Sequence, residues 1–151
     1  MKLKRVVSGG QTGVDQTALE LAIAMGFETG GWAPRGYRTN VGPNPSLGTV
    51  FGLKTTESGG YRTRTRLNVR DSDVTVWFGN HSPGYYCTAQ AAEDYAKEFV
   101  INPSAELLRG VFDTYETVNF AGNRMESNPN ASGLLLTTWN EVFGGGVPIN
   151  D

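Results

Sequence analysis

The chain has 151 residues, 38% of them hydrophobic and 19% charged, with a formal net charge of −2. That is the size and composition of one packed domain, and the slight acidic excess argues against a general nucleic-acid binder, whose footprint is basic. A single cysteine, Cys87, and a single histidine, His81, allow no internal disulfide and no Cys- or His-rich metal site, and leave little material for a Ser-His-Asp triad.

No run approaches the ~20 apolar residues of a membrane helix, and the N-terminus lacks an apolar signal core. The expectation is one soluble, cytoplasmic domain over residues 1–151, with neither a membrane nor a nucleic acid as partner. Glycine is the unusual entry. There are 20, against about 7% in an average protein, and several directly follow segments that read as buried strands, where backbone turns sharply or approaches a ligand.

In chain order, Leu3 to Val7 reads as a strand and Ser8 to Gly13 as a turn. Asp15 to Met25 carries Leu19, Ala22, Ile23 and Met25 at helical spacing, with Gly26 suited to the helix end. Strand, glycine turn and helix together open a βαβ unit. Phe27 to Trp32 is a second strand. Pro34 to Gly60, rich in Gly, Pro, Asn, Ser and Thr, is an irregular excursion too long for a connector, either a ligand cover or a mobile loop. Tyr61 to Arg70 follows as a helix with Arg62, Arg66 and Arg70 on one face, and Val74 to Phe78 (VTVWF) is the clearest strand, continuous and β-branched as in a parallel sheet covered on both sides. After a loop over Gly79 to Tyr86 come a helix at Thr88 to Lys97, a strand at Phe99 to Ile101, a short helix at Ser104 to Arg109, a strand at Glu116 to Phe120 and a closing helix at Ser132 to Phe143.

Alternation of strands and helices predicts a Rossmann-like α/β fold, a three-layer sandwich around a mostly parallel sheet. Ligands in such sheets bind at the carboxyl ends of the strands. That rule gathers Ser8 to Gly13, Gly31 to Arg35, Gly79 to Thr88 and Ala121 to Ser127 on one edge.

The loops there have the chemistry of an oxyanion site. A helix starting near Asp15 points unsatisfied N–H groups into SGGQTGVD, where Gly9, Gly10 and Gly13 let backbone approach and Ser8 and Thr12 offer hydroxyls. The plainer alternative is a tight turn with Asp15 as N-cap. In the second loop, Gly122 allows approach, Asn123 and Ser127 can hydrogen-bond, and Arg124 carries a guanidinium suited to phosphate or carboxylate, or else a surface ion pair. The arginine face reads as solvated or salt-bridged, although Arg70, just before the VTVWF strand, needs a partner or a ligand. His81 reads as solvated and Cys87 as a small buried residue. Trp32, Tyr37, Trp77, Tyr85 and Tyr86 offer a stacking surface for a ring, with core packing as the alternative.

Four segments, SGGQTGVD (Ser8–Asp15), GGWAPRG (Gly30–Gly36), RTRLNVRDSDVT (Arg64–Thr75) and VNFAGNRMES (Val118–Ser127), resemble in the same order the molybdenum carrier family. That family belongs to a wider Rossmann-like group with the lonely-guy phosphoribohydrolases and DNA-processing protein A. The resemblance implies a homo-oligomer that binds a nucleotide-like or phosphorylated small molecule, with the molybdenum cofactor or a nucleotide as its implied ligands. It implies a phosphate turn at Gly9, Gly10, Thr12 and Gly13 beside Ser8 and Gln11, and a pocket wall at Arg70, Asp71 and Asp73. It also implies an AGPRES-like loop at Gly122, Arg124 and Ser127, with Asn123 in place of the usual proline. Arg35, Tyr85 and Thr88 complete the expected ligand set. The phosphoribohydrolases carry a PGGxGTxxE segment; here Pro83-Gly84 and Thr88 persist, but Tyr85, Tyr86 and Cys87 replace the glycine turn and Ala91 replaces the glutamate. Loss of that carboxylate removes the obvious proton handler for glycosidic hydrolysis. The leading reading is a non-catalytic binder that carries, senses or sequesters its ligand; the alternative is a nucleotide-processing hydrolase, and a structural module with a vestigial pocket is a third.

Overall fold

The computed structural model describes residues 1–144; residues 145–151 of the expected single domain lie outside the described residues. In chain order the strands are β1 (Arg5–Val7), β2 (Glu28–Gly30), β3 (Trp32–Ala33), β4 (Arg38–Thr39), β5 (Gly42–Pro43), β6 (Lys54–Thr55), β7 (Val74–Phe78), β8 (Glu98–Ile101) and β9 (Thr117–Gly122). The helices are α1 (Val14–Ala24), α2 (Ser46–Thr49), α3 (Tyr61–Arg70), α4 (Pro83–Asp94), α5 (Ala105–Thr114) and α6 (Pro129–Val142), with a 3₁₀ turn at Arg35–Tyr37. Five strands form an all-parallel central sheet in the order β2-β1-β9-β7-β8. The Rossmann-like α/β sandwich is therefore present.

Alternation along the strands sorts the two faces. Val6, Val74, Val76, Phe78, Val118 and Phe120 pack with α1, α5 and α6 around the fully buried Phe112, Leu135 and Trp139. On the opposite side α3 and α4 pack through Val69, Ala91 and Ala92. There Thr75 and Asn119 are buried and joined by a 3.1 Å hydrogen bond across neighbouring strands. All five residues of β7 are buried, as its continuous apolar run demands of a strand covered on both sides.

Helix ends move relative to the expectation for local reasons. α4 starts five residues early because Ser82 caps it, accepting the Tyr85 N–H at 3.3 Å, and Pro83 follows at the first helical position. The expected loop over Gly79 to Tyr86 shrinks accordingly. α1 is capped by Gly13 and not by Asp15. The second strand is divided at Gly31, whose φ of +123° turns the chain out of the central sheet. β3 then pairs with β6 in a separate parallel ribbon.

The Pro34 to Gly60 excursion is an ordered annex. Leu47 and Leu53 from it pack with Ala33 and Leu19 of α1. Tyr37 donates its hydroxyl to the Leu53 carbonyl at 3.1 Å. Because the last central strand, β9, lies between β1 and β7, the turns following β1 and β9 become neighbours although more than a hundred residues separate them.

Candidate functional site

A cavity of about 560 Å³ opens at the carboxyl ends of β7 and β9, against the first turns of α3 and α4. Gln11 and Asp15 line it from the turn after β1, Tyr61, Arg62 and Arg64 from α3, and Trp77 from β7. Gly84, Cys87 and Thr88 contribute from α4, Gly122, Asn123, Arg124, Glu126 and Ser127 from the end of β9 and beyond, and Asn40 from the annex.

The turns after β1 and β9 are in direct contact. Val14 donates its N–H to the Asn123 carbonyl at 3.4 Å, Met125 donates its N–H to the Thr12 hydroxyl at 3.3 Å, and that hydroxyl donates to Glu126 at 2.7 Å. Gly13 makes this approach possible. Its φ is +85°, and a Cβ there would lie 2.5 Å from the Asn123 carbonyl oxygen. Asn123 is a hub: its Oδ1 accepts from the Asn80 N–H at 2.7 Å and from Asn128 Nδ2 at 3.0 Å.

The glycine turn itself is filled from within. Asp15, 3% exposed, accepts the Gln11 N–H at 3.2 Å. Ser8 donates its hydroxyl to the Asp15 carbonyl at 2.9 Å and accepts the Gly10 N–H, while Thr12 donates its N–H to the Gln11 side chain. A Cβ on Gly9 would strike the Arg64 guanidinium, and one on Gly10 would meet Leu47 and Leu53. Ser8, Gly9, Gly10, Thr12 and Gly13 thus shape the site from behind and do not line the cavity; Gln11 does.

Arg64 is the central charge. Its Nη1 lies 3.8 Å from Asp15 Oδ2, beyond hydrogen-bonding range, and donates instead to Thr65 at 2.9 Å. Its Nε is buried with no hydrogen-bond partner among the described residues. Burial pushes the Asp15 carboxyl up from 3.8 to about 6, against the pull of Arg64 and of the Gln11 N–H. Arg64 and Arg38 both stack on the Tyr61 ring, with guanidinium carbons 5.4 and 4.7 Å from its centroid. At the exposed rim Arg124 donates to Asn40 Oδ1 at 2.9 Å. Asn40 in turn donates to Glu126, whose carboxyl the Thr12 hydroxyl, first of several donors, holds below its ordinary range. The annex is therefore part of the site's rim.

Thr88, Gly122, Asn123, Arg124 and Ser127 stand at the cavity with Gln11. Arg70 and Asp71 do not: they lie at the far end of α3, about 13 Å along its axis from Tyr61 at 1.5 Å per residue. They pair with each other there, at 2.7 Å, and Trp32 Nε1 donates to Asp71. Asp73 caps the start of β9 through the Glu116 and Thr117 N–H groups, at the sheet's opposite edge. A helix that returns antiparallel to its strand brings its first turn, not its last, to the carboxyl edge. Arg35 is exposed outside the cavity, and Tyr85 stacks on the exposed His81 at 4.0 Å, inside the first turn of α4. Of the proposed stacking residues only Trp77 lines the cavity; Cys87, expected as buried, lines it half-buried. The sequence reading missed Tyr61, Arg62, Arg64 and Asn40 as site residues. The signal available for the first three was their place at the start of a helix that leads into the central β7 strand.

A family model matches residues 6–142. The chain belongs to the circularly permutated YpsA SLOG family. Among solved structures, that of a putative molybdenum carrier protein from Syntrophus aciditrophicus SB is similar, with a TM-score of 0.80 and 28% sequence identity over 94% of this chain and 95% of that one. No curated protein sequence matches. Among the described residues no helix is long and apolar enough to cross a membrane, and no group of three or more His, Cys, Asp or Glu is placed to hold a metal ion.

Proposed function

We propose that this member of the circularly permutated YpsA SLOG family is a non-catalytic binder, which carries, senses or sequesters a phosphorylated, nucleotide-derived or cofactor-like small molecule. The observation that carries this reading is Arg64, whose Nε is buried with no hydrogen-bond partner among the described residues, beside a cavity of about 560 Å³ that Arg62 and Arg124 also line. A cavity of that size holds a drug-sized ligand, and guanidinium groups are suited to its phosphate. Tyr61 supplies aromatic surface for a ring, while Trp77 lines the cavity almost wholly buried.

The charge of the lining also bears on the cargo. Three arginines favour an anion over a bare metal cation, so a molybdenum cargo like that named for the Syntrophus protein would be held as an oxyanion or through a phosphorylated cofactor. The molybdenum cofactor fits this donor set, with the arginines suited to its phosphate and Tyr61 to its pterin. Ala91, at the position of the phosphoribohydrolase glutamate, is fully buried beside Val69 and Ala92, so α4 brings no carboxylate to the site from there.

Native mass spectrometry of the purified protein, followed by calorimetry with a panel of phosphorylated pterins and nucleotides, tests the reading. The expected result is saturable binding with the ligand recovered unchanged by chromatography. Recovery of a released base or phosphate would make the protein a hydrolase, and failure to bind any anionic ligand would end the proposal.

A further inference from the structure

The anion seat formed by the glycine turn is already taken by Asp15. Its carboxylate receives the Gln11 N–H and the electrostatic attraction of Arg64. The remaining donor capacity of Arg64 lies beside that same carboxylate, with 3.8 Å between Nη1 and Oδ2. Any anion that docks on Arg64 therefore comes to rest close to a second, buried negative charge. Two desolvated negative charges beside one guanidinium repel each other, which favours a proton shared between them.

Resting on the anion-binding reading above, we propose that Asp15 makes this cavity select a proton-bearing phosphate group over fully ionised oxyanions of the same shape, by accepting the ligand's P–O–H hydrogen bond beside Arg64. Inorganic phosphate keeps one P–O–H at neutral pH and brings that proton with it, whereas a phosphate monoester, whose second ionisation lies near pH ~6, is largely a dianion there and must regain one proton on binding. Sulfate or molybdate brings none, so either binds only when Asp15 takes a proton from solvent. The ordinary carboxyl value would make that costly at neutral pH; the burial-raised value of about 6 puts it just below neutrality. The other charged or titratable side chains around this space are Tyr61 and Arg62 on α3, Cys87 on α4, and Arg124 and Glu126 after β9, while the annex contributes the neutral Asn40. Asp15 is the carboxylate that Arg64 faces, and Glu126 is engaged by Thr12 and Asn40 at the rim.

The test is a calorimetric titration of the whole chain with inorganic phosphate, which keeps one O–H at neutral pH, and with sulfate and molybdate, which keep none. Near pH ~7.5 phosphate should bind roughly tenfold or more tighter than either, the worth of one charge-assisted hydrogen bond. Near pH ~5.5, below the raised Asp15 value, sulfate should recover most of that deficit. Asp15→Asn, with its fold checked by circular dichroism, should shrink the gap at the higher pH to within about threefold. Sulfate or molybdate matching phosphate on the unaltered protein near neutral pH overturns the selection while leaving an anion binder. Absence of binding by all three anions at both pH values overturns the anion reading with it. Should Asp15→Asn fail to fold, the pH dependence of the sulfate deficit in the unaltered protein decides alone.

Discussion

Asp15 offers a measurement on the protein without any ligand. Its carboxyl is raised from 3.8 to about 6 chiefly by burial, so the folded state holds a proton over a range where the unfolded chain has already lost it. The sign follows directly: below about pH 3 the group is protonated in both states and costs nothing. As pH rises to about 6 and beyond, the folded state must bury an ionised carboxylate, and stability falls. A rise of about two pH units, each worth about 1.4 kcal/mol, corresponds to a loss of about 3 kcal/mol between those limits. Asp15→Asn removes the titration while keeping the shape. Urea denaturation of both proteins across this range isolates the effect, because the remaining carboxylates titrate alike in each. The stability of the unaltered protein relative to Asp15→Asn should drop by about 3 kcal/mol from pH ~3 to pH ~7. Parallel pH profiles would show that the carboxylate is solvated, and would refute the description of Asp15 as a desolvated anion inside the glycine turn.

The remaining expectations concern packing and charge. Gly13→Ala should destabilise the fold by about 2–4 kcal/mol, since a left-handed φ and a clash with the backbone of Asn123 to Met125 leave nothing flexible to yield; an unchanged thermal midpoint would contradict that close approach. Asn123→Ala should cost about 1–3 kcal/mol in chemical denaturation by stranding the Asn80 N–H, and a neutral result would mean that water or a neighbour replaces the amide. Arg124→Ala should weaken binding of a phosphorylated ligand by about 1–3 kcal/mol with stability little changed, because its side chain sits at the exposed rim. Arg70→Ala should leave that affinity alone, as Arg70 pairs with Asp71 at the other end of α3; a matching loss in calorimetry would restore Arg70 to the site.

Much of the architecture is legible in residue pattern. The run VTVWF reports a strand buried on both faces, and the spacing of Leu19 and Ala22, closed by Gly26 at φ +84°, reports a helix and its end. Strand–helix alternation then dictates a parallel sheet, and the rule for its carboxyl edge brings Gln11, Thr88 and Gly122 to Ser127 together. The start of α4 was also written in the chain, in Ser82 and Pro83, but the aromatic pair Tyr85-Tyr86 beside a glycine read as loop.

The identity of the charges at the site was a tertiary matter. Local sequence marks SGGQTGVD as a turn with many N–H donors, but it does not say which acceptor fills them. Packing Arg64 over Gly9 and folding Asp15 back into the turn let the protein supply its own anion there. Likewise, Arg62, Arg64 and Arg70 lie on one short helix, and only the direction in which α3 returns to β7 separates the arginines at the cavity from the one at the opposite end. Periodicity and turn chemistry act over a few residues, so they determine elements and loops. Burial, and the proton and ion pairing it forces, depends on which distant segments meet, and here that was settled by the insertion of β9 between β1 and β7.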